Sequence, residues 1–222
     1  MGCLVFGKSV KVAVAAVVAA GALAGCGATS KTGTAALVGD DRITVGELSD
    51  TVREWREQFR SDPIAGELRA GPANPAPQLA ADSESDLRAA LTLLINIRVA
   101  DEVADREKIE VTGGRVDAAL AFLGRNVPAQ SVTLASGLPR ERTRDLARLV
   151  ATQNAVIERF GGDPSDRTKP ATQSAGEQWN TLFRRTARSM KIEVNPRYGV
   201  YDSDRFRVQP AEHGLSRPDP GI

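Results

Sequence analysis

Apolar and polar positions alternate along this chain with a period that changes several times, and each change predicts an element. Leu37, Val38, Ile43 and Val45 flank the turn-forming Gly39-Asp40-Asp41, which predicts a short strand, a turn and a return. Thr44 stands three residues before Glu47, the spacing of a capping box at a helix start. Behind it Val45, Leu48, Val52, Trp55 and Phe59 recur at intervals of three and four. That is one narrow apolar stripe, so the helix packs along one side and leaves the other wet. Residues 61–82 hold four prolines and two glycines and read as a connecting loop, with a short helical piece around Ile64 and Leu68. Ser83 with Asp86 reopens a helix. Leu87, Leu91, Leu94, Ile95, Ile97 and Val99 cover most of its circumference, which predicts the central buried helix.

Thr112 is the expected cap of the next helix, with Val116, Ala119, Leu120 and Leu123 on one face. Pro139 suits a first helical turn, and Leu146, Leu149, Val150, Val156, Ile157 and Phe160 point inward until Gly161-Gly162 ends the pattern. Ser174 and Glu177 repeat the capping-box spacing before Trp179, Leu182, Phe183, Ala187 and Met190. The period then turns to alternation: Ile192 and Val194 predict a strand that pairs near the start of the body. From residue 203 onward there are three prolines, two glycines and no apolar pattern, so disorder is expected there. The predicted fold class is mostly α, a helical body closed by a small strand pair between its two ends.

The first 25 residues belong to a different grammar. Lys8 and Lys11 precede an apolar core at 12–23, far short of the ~20 residues that span a bilayer but suited to a secretory leader. Leu23-Ala24-Gly25-Cys26 resembles the bacterial lipobox, in which the thiol is alkylated with diacylglycerol and the chain is cut before the cysteine. Cys26 is therefore the expected lipidated N-terminus, with 1–25 the signal peptide, 26–35 a small polar tether, 36–202 the body and 203–222 the tail. The expected location is the outer face of the cell membrane, held by lipid. The alternative is an ordinary cleaved leader with a chance cysteine. Myristoylation at the opening Met-Gly-Cys is rejected, because Phe6 stands where that motif needs Ser or Thr.

Charge and composition then remove chemistries. The chain has 29 Lys plus Arg and 28 Asp plus Glu, and loss of Lys8 and Lys11 with the leader leaves it close to neutral, so no nucleic acid is expected as a partner. Arginine exceeds lysine and alanine is abundant, as in a GC-rich, actinobacterial-type genome. Cys3 leaves with the leader, so no disulfide is expected. The only histidine, His213, lies in the tail, a poor place for a general base. Without Cys and His clusters no metal is expected, and no phosphate-cradling loop is present, so no cofactor and no enzymatic activity are expected. Asp101, Glu102 and Asp105 sit at helical spacing from Arg98 and Arg106 and read as ion pairs rather than a catalytic carboxylate pair. The arginines at 140, 142, 144 and 148 alternate with acids and read as a solvated face.

The order of parts resembles the N-terminal chaperone domain of the SurA/PrsA family. The resemblance rests on Val38-Gly39 followed by Ile43-Thr44 and Glu47-Leu48, on Ile109 to Val111 with Val116, and on Asn195-Pro196-Arg197-Tyr198-Gly199. It covers about 36–202. The Pro-rich loop at 61–82 and Gly113-Gly114 depart from it, and there is no room for the family's parvulin isomerase domain. The resemblance implies a helical SurA N-terminal-like fold and a non-catalytic holdase whose partners are unfolded or newly secreted polypeptides. Trp55, Phe59, Trp179 and Phe183 are the candidate client-binding residues, although spacing of four within a helix equally suits core packing. The other function class is a scaffolding envelope lipoprotein that docks one folded partner.

Overall fold

Gly39 takes a left-handed φ of +61°, and this single residue lets the chain reverse between two strands. β1 (Thr34–Val38) and β2 (Asp41–Thr44) pair antiparallel across it, and β3 (Glu193–Val194) adds to the other edge of β1, giving the order β2-β1-β3. The computed structural model describes residues 33–71 and 85–211. Among them are seven α-helices: α1 (Val45–Arg60), α2 (Pro63–Ala70), α3 (Asp86–Arg106), α4 (Gly113–Leu123), α5 (Ala129–Ser136), α6 (Thr143–Arg159) and α7 (Pro170–Ser189). A second hairpin, β4 (Val200–Asp202) with β5 (Arg207–Gln209), closes the described chain. Cys26, His213 and the segment 72–84, with Ser83, lie outside the described residues.

The predicted closure holds: Ala36 pairs with Val194 and Leu37 with Glu193, so the two ends of the body share one sheet. The strand begins earlier than the expected tether allows. Thr34 and Ala35 are buried in β1, because Asn195 takes the Ala35 and Thr34 carbonyls through its backbone and side-chain N–H groups at 2.9 and 3.0 Å. α3 is the central helix, with every side chain from Ala89 to Asn96 buried. It starts after Ser85.

Thr44 caps α1 as expected, accepting from the Glu47 N–H at 3.0 Å. The Glu47 carboxylate does not complete the box. It meets Arg98 of α3 at 3.3 Å and Arg142 at 3.2 Å, tying three elements together. α7 begins four residues before Ser174, since Pro170 is pre-set for a first turn and leaves no N–H unpaired. Gly161, at φ +79°, and Gly162 end α6 with N–H bonds to Glu158 and Ile157 at 3.0 and 2.9 Å. Phe160 is the C-cap and is 44% exposed, not inward: it follows Val156 and Ile157 on the same face but sits at the helix end.

The arginine run faces solvent as expected, its side chains 33–62% exposed, and it also forms struts between elements. Arg140 pairs with Asp62, Arg142 with Glu47, Arg144 with Asp117 and Arg148 with Asp101, so four other helices are each tied once. The expected disorder from 203 is corrected over 203–211, and residues 212–222 lie outside the described residues. Val208 is buried and its N–H donates to Thr92 Oγ1 at 2.9 Å. Asn96 donates to the Phe206 carbonyl at 2.9 Å and accepts from the Tyr201 hydroxyl at 2.8 Å. Two buried polar groups of α3 thus find their partners in the hairpin, as burial requires.

Candidate functional site

Trp55 and Phe59 stand one turn apart on α1, with ring centroids 5.1 Å apart. The Trp55 indole N–H donates to the Leu134 carbonyl at 2.7 Å, and Ala65 and Leu134 complete a small separate core. The Arg69 guanidinium lies over both rings, 4.8 and 5.5 Å from their centroids, and burial lowers its pKa. Trp179 and Phe183 pair at 5.2 Å on α7 and belong to the main core, where Phe183 meets Phe206 edge-on at 4.8 Å. Trp55, Trp179 and Phe183 are 5, 6 and 3% exposed, and Phe59 is half-buried. The structure therefore does not bring the four candidate aromatics onto one open surface. α5 and Arg69 of α2 cover the α1 pair, and Phe206 of the β4–β5 hairpin packs on Phe183, coverings that the apolar pattern of the sequence did not announce.

α5 is the element that sequence reasoning missed. Its segment, AQSVTLAS, has Ser131, Thr133 and Ser136 at buried positions, which erases any apolar stripe. Each hydroxyl is satisfied: Ser131 donates to Asp62 Oδ2 at 3.0 Å, Thr133 to the Ala129 carbonyl and Ser136 to the Val132 carbonyl. Asp62 also caps α2 through the Ala65 N–H at 2.9 Å and pairs with Arg140 at 3.1 Å. Burial alone would raise its carboxyl pKa. The bonds from Ala65, Ser131 and Arg140, with the Arg140 charge, outweigh burial and hold it below the usual range.

Beside α5, among the described residues, lies a cleft of about 530 Å³ bounded by α2, α4, α5 and α6. Leu146, Leu149, Val150 and Gln153 come from one face of α6, at intervals of three, one and three. Phe122 and Leu123 come from the last turn of α4, Val127 from the loop after it, Val132 from α5 and Leu68 from α2. Arg125, Asn126 and Arg167 complete the lining. The volume lies within the ~300–1,000 Å³ typical of ligand pockets. Phe122 also borders a shallower hollow on its other side, lined by Ala118, Ala119, Ala151 and Asn154, so it partitions a longer groove along α4 and α6. Other large exposed apolar residues, Ile64, Phe160 and Val200, are not part of it.

The cleft is chemically quiet. Ser136 in its wall already donates within its own helix. Among the described residues no group of three or more His, Cys, Asp or Glu is gathered as a metal site, and no helix is long and apolar enough to cross a membrane. What the arrangement offers is apolar area, two amides and two guanidinium groups, which suits binding. No signal in the sequence would have found it, because its walls come from four elements and one of them was invisible. Comparison with known proteins found no matching family model, no matching curated protein and no matching solved structure.

Proposed function

We propose that this chain is a lipid-anchored, non-catalytic chaperone that holds short apolar stretches of unfolded or newly secreted polypeptide at the outer face of the cell membrane. The observation that carries the binding half is the α2–α4–α5–α6 cleft, with its apolar floor and its Asn126 and Gln153 amides able to bond a peptide backbone. Burial at ~25 cal/mol per Å² gives a short apolar segment several kcal/mol of gross attraction there. Ordering a flexible client opposes this, so affinity is weak and broad. The anchor half rests on the sequence around Cys26, and the chaperone class on the SurA-like order of parts, whose early and late strands pair.

A second reading, the scaffold that docks one folded partner, draws support from the burial of Trp55, Trp179 and Phe183. Their burial confines the open apolar surface to a discrete cleft rather than a broad cradle. One experiment separates the two. The full chain in nanodiscs is mixed at several-fold excess with each of several unrelated, chemically unfolded proteins, and aggregated client is pelleted and weighed. A proline-limited refolding reaction runs in parallel. The chaperone reading expects less pellet for most clients, reversal by Phe122→Ser, and unchanged proline-limited kinetics. Protection of none points to the scaffold, and faster proline-limited refolding overturns the non-catalytic reading. Separately, Cys26→Ala abolishes lipid labelling and releases the chain from membranes; an intact, unlabelled chain that stays membrane-bound refutes the anchor.

A further inference from the structure

The arginines at the mouth of the cleft differ from most others in the protein. Arg53, Arg56, Arg98, Arg106, Arg115 and the strut arginines each hold a carboxylate. Arg125 and Arg167 hold none among the described residues. The Arg125 guanidinium lies over the Phe122 ring, 5.1 Å from its centroid, which places a cation against the apolar wall. The acids nearest Arg167 in sequence are already committed: Asp163 to Lys169 at 2.7 Å and to Ser165, Asp166 to Thr168 and, at 3.7 Å, to Lys169. No acidic side chain lines the cleft. The adjoining hollow that shares Arg125 carries Glu158 and Asp163, but these are held by Arg115 and Lys169 at 2.7 Å each. The cleft itself therefore has a positive mouth, an apolar floor and otherwise only the neutral Asn126, Gln153 and Ser136.

We infer that the cleft selects polypeptide segments in which an apolar core is flanked by acidic residues, with the core on the Phe122–Val150 floor and carboxylates on Arg125 and Arg167. This deepens the reading above and rests on it. An apolar segment alone fills the floor but leaves both guanidinium groups to water. A basic flank meets two like charges. An acidic flank gains two charge-assisted bonds, each exposed enough to give only a few-fold in affinity.

The test uses the full chain in nanodiscs of zwitterionic lipid and three fluorescent peptides that share one Leu/Val-rich core. One is flanked by Asp, one by Ser and one by Lys, and affinities are read by anisotropy. The Asp-flanked peptide binds tightest, about tenfold better than the Ser-flanked one at low salt. The Lys-flanked peptide binds weakest, and the spread shrinks at high salt. The double variant Arg125→Gln/Arg167→Gln, at exposed positions, erases the Asp-over-Ser preference, read as the ratio of the two affinities on that same variant. Equal affinity for all three peptides overturns the charge selection while leaving the polypeptide-binding reading intact, as does an Asp preference that survives in the double variant. Binding of none of them overturns both. If the peptides fail but a long-chain fatty acid binds in a manner dependent on the same two arginines, the occupant is an anionic lipid and the inference falls.

Discussion

Asp62 joins three elements through one carboxylate: it caps α2, accepts from Ser131 of α5 and pairs with Arg140. A buried acid with that many donors stabilises only while ionised. Its folded pKa is lowered below the ~3.9 of an unfolded aspartate. The contribution is therefore complete above about pH 4 and is lost as the pH falls through the depressed folded value. Asp62→Ala should cost about 2–3 kcal/mol at pH 7, from the lost cap and the orphaned Ser131 and Arg140. Urea midpoints at pH 7 and pH 3 test this. The gap between wild type and variant should narrow at the lower pH, and an unchanged gap would mean that the carboxylate charge contributes nothing.

At the scale of elements, α1 and α7 have their aromatic stripes covered. α5 lies over Trp55, whose N–H it accepts at the Leu134 carbonyl, and the β4–β5 hairpin lies over Phe183 through Phe206. An indole enclosed in this way is shielded from solutes in the solvent. Both tryptophans should resist acrylamide quenching, and their emission should stay the same when a client saturates the protein. Ready quenching, or a client-induced change in emission, would place an indole at the binding surface and restore the aromatic stripes as the grip. Binding is assigned to the cleft beside α6 on its shape and on its partly exposed rim of Phe122, Leu123 and Val127, above a base of Leu146, Leu149 and Val150 that is itself buried.

At the scale of the whole molecule, the first and last described segments hold the helices between them. β3 pairs with β1, and the final hairpin satisfies Thr92 and Asn96 inside α3. Gly199 permits that hairpin: its φ is +131°, and a side chain there would collide with the Gln209 carbonyl. A chain ended after Ser203 should lose about 3–5 kcal/mol, from exposed apolar surface around Phe206 and Val208 and from two buried groups left short of partners. The urea midpoint measures it. A midpoint equal to that of the full chain would show that α3 does not depend on the hairpin.

Where local chemistry was decisive, the sequence was enough. The Gly39 turn, the Thr44 and Thr112 caps, the glycine stop of α6 and the apolar girth of α3 all follow from neighbours within a few positions. The Cys26 expectation also rests on local sequence alone and lies outside the described residues. What only tertiary structure decided are features whose partners lie far along the chain. Ser131 could be buried because Asp62 waits for it 69 residues away, and Val208 could form an edge strand because Thr92 accepts from it across 116 residues. Polar residues satisfied at such range carry no periodic signal, so the segment of α5 received no assignment and that of β5 read as disorder. The candidate cleft inherits the same blindness. Leu149 and Val150 are core, as the apolar pattern predicts, and they also line the base of the cleft because four helices meet around them without filling the space above.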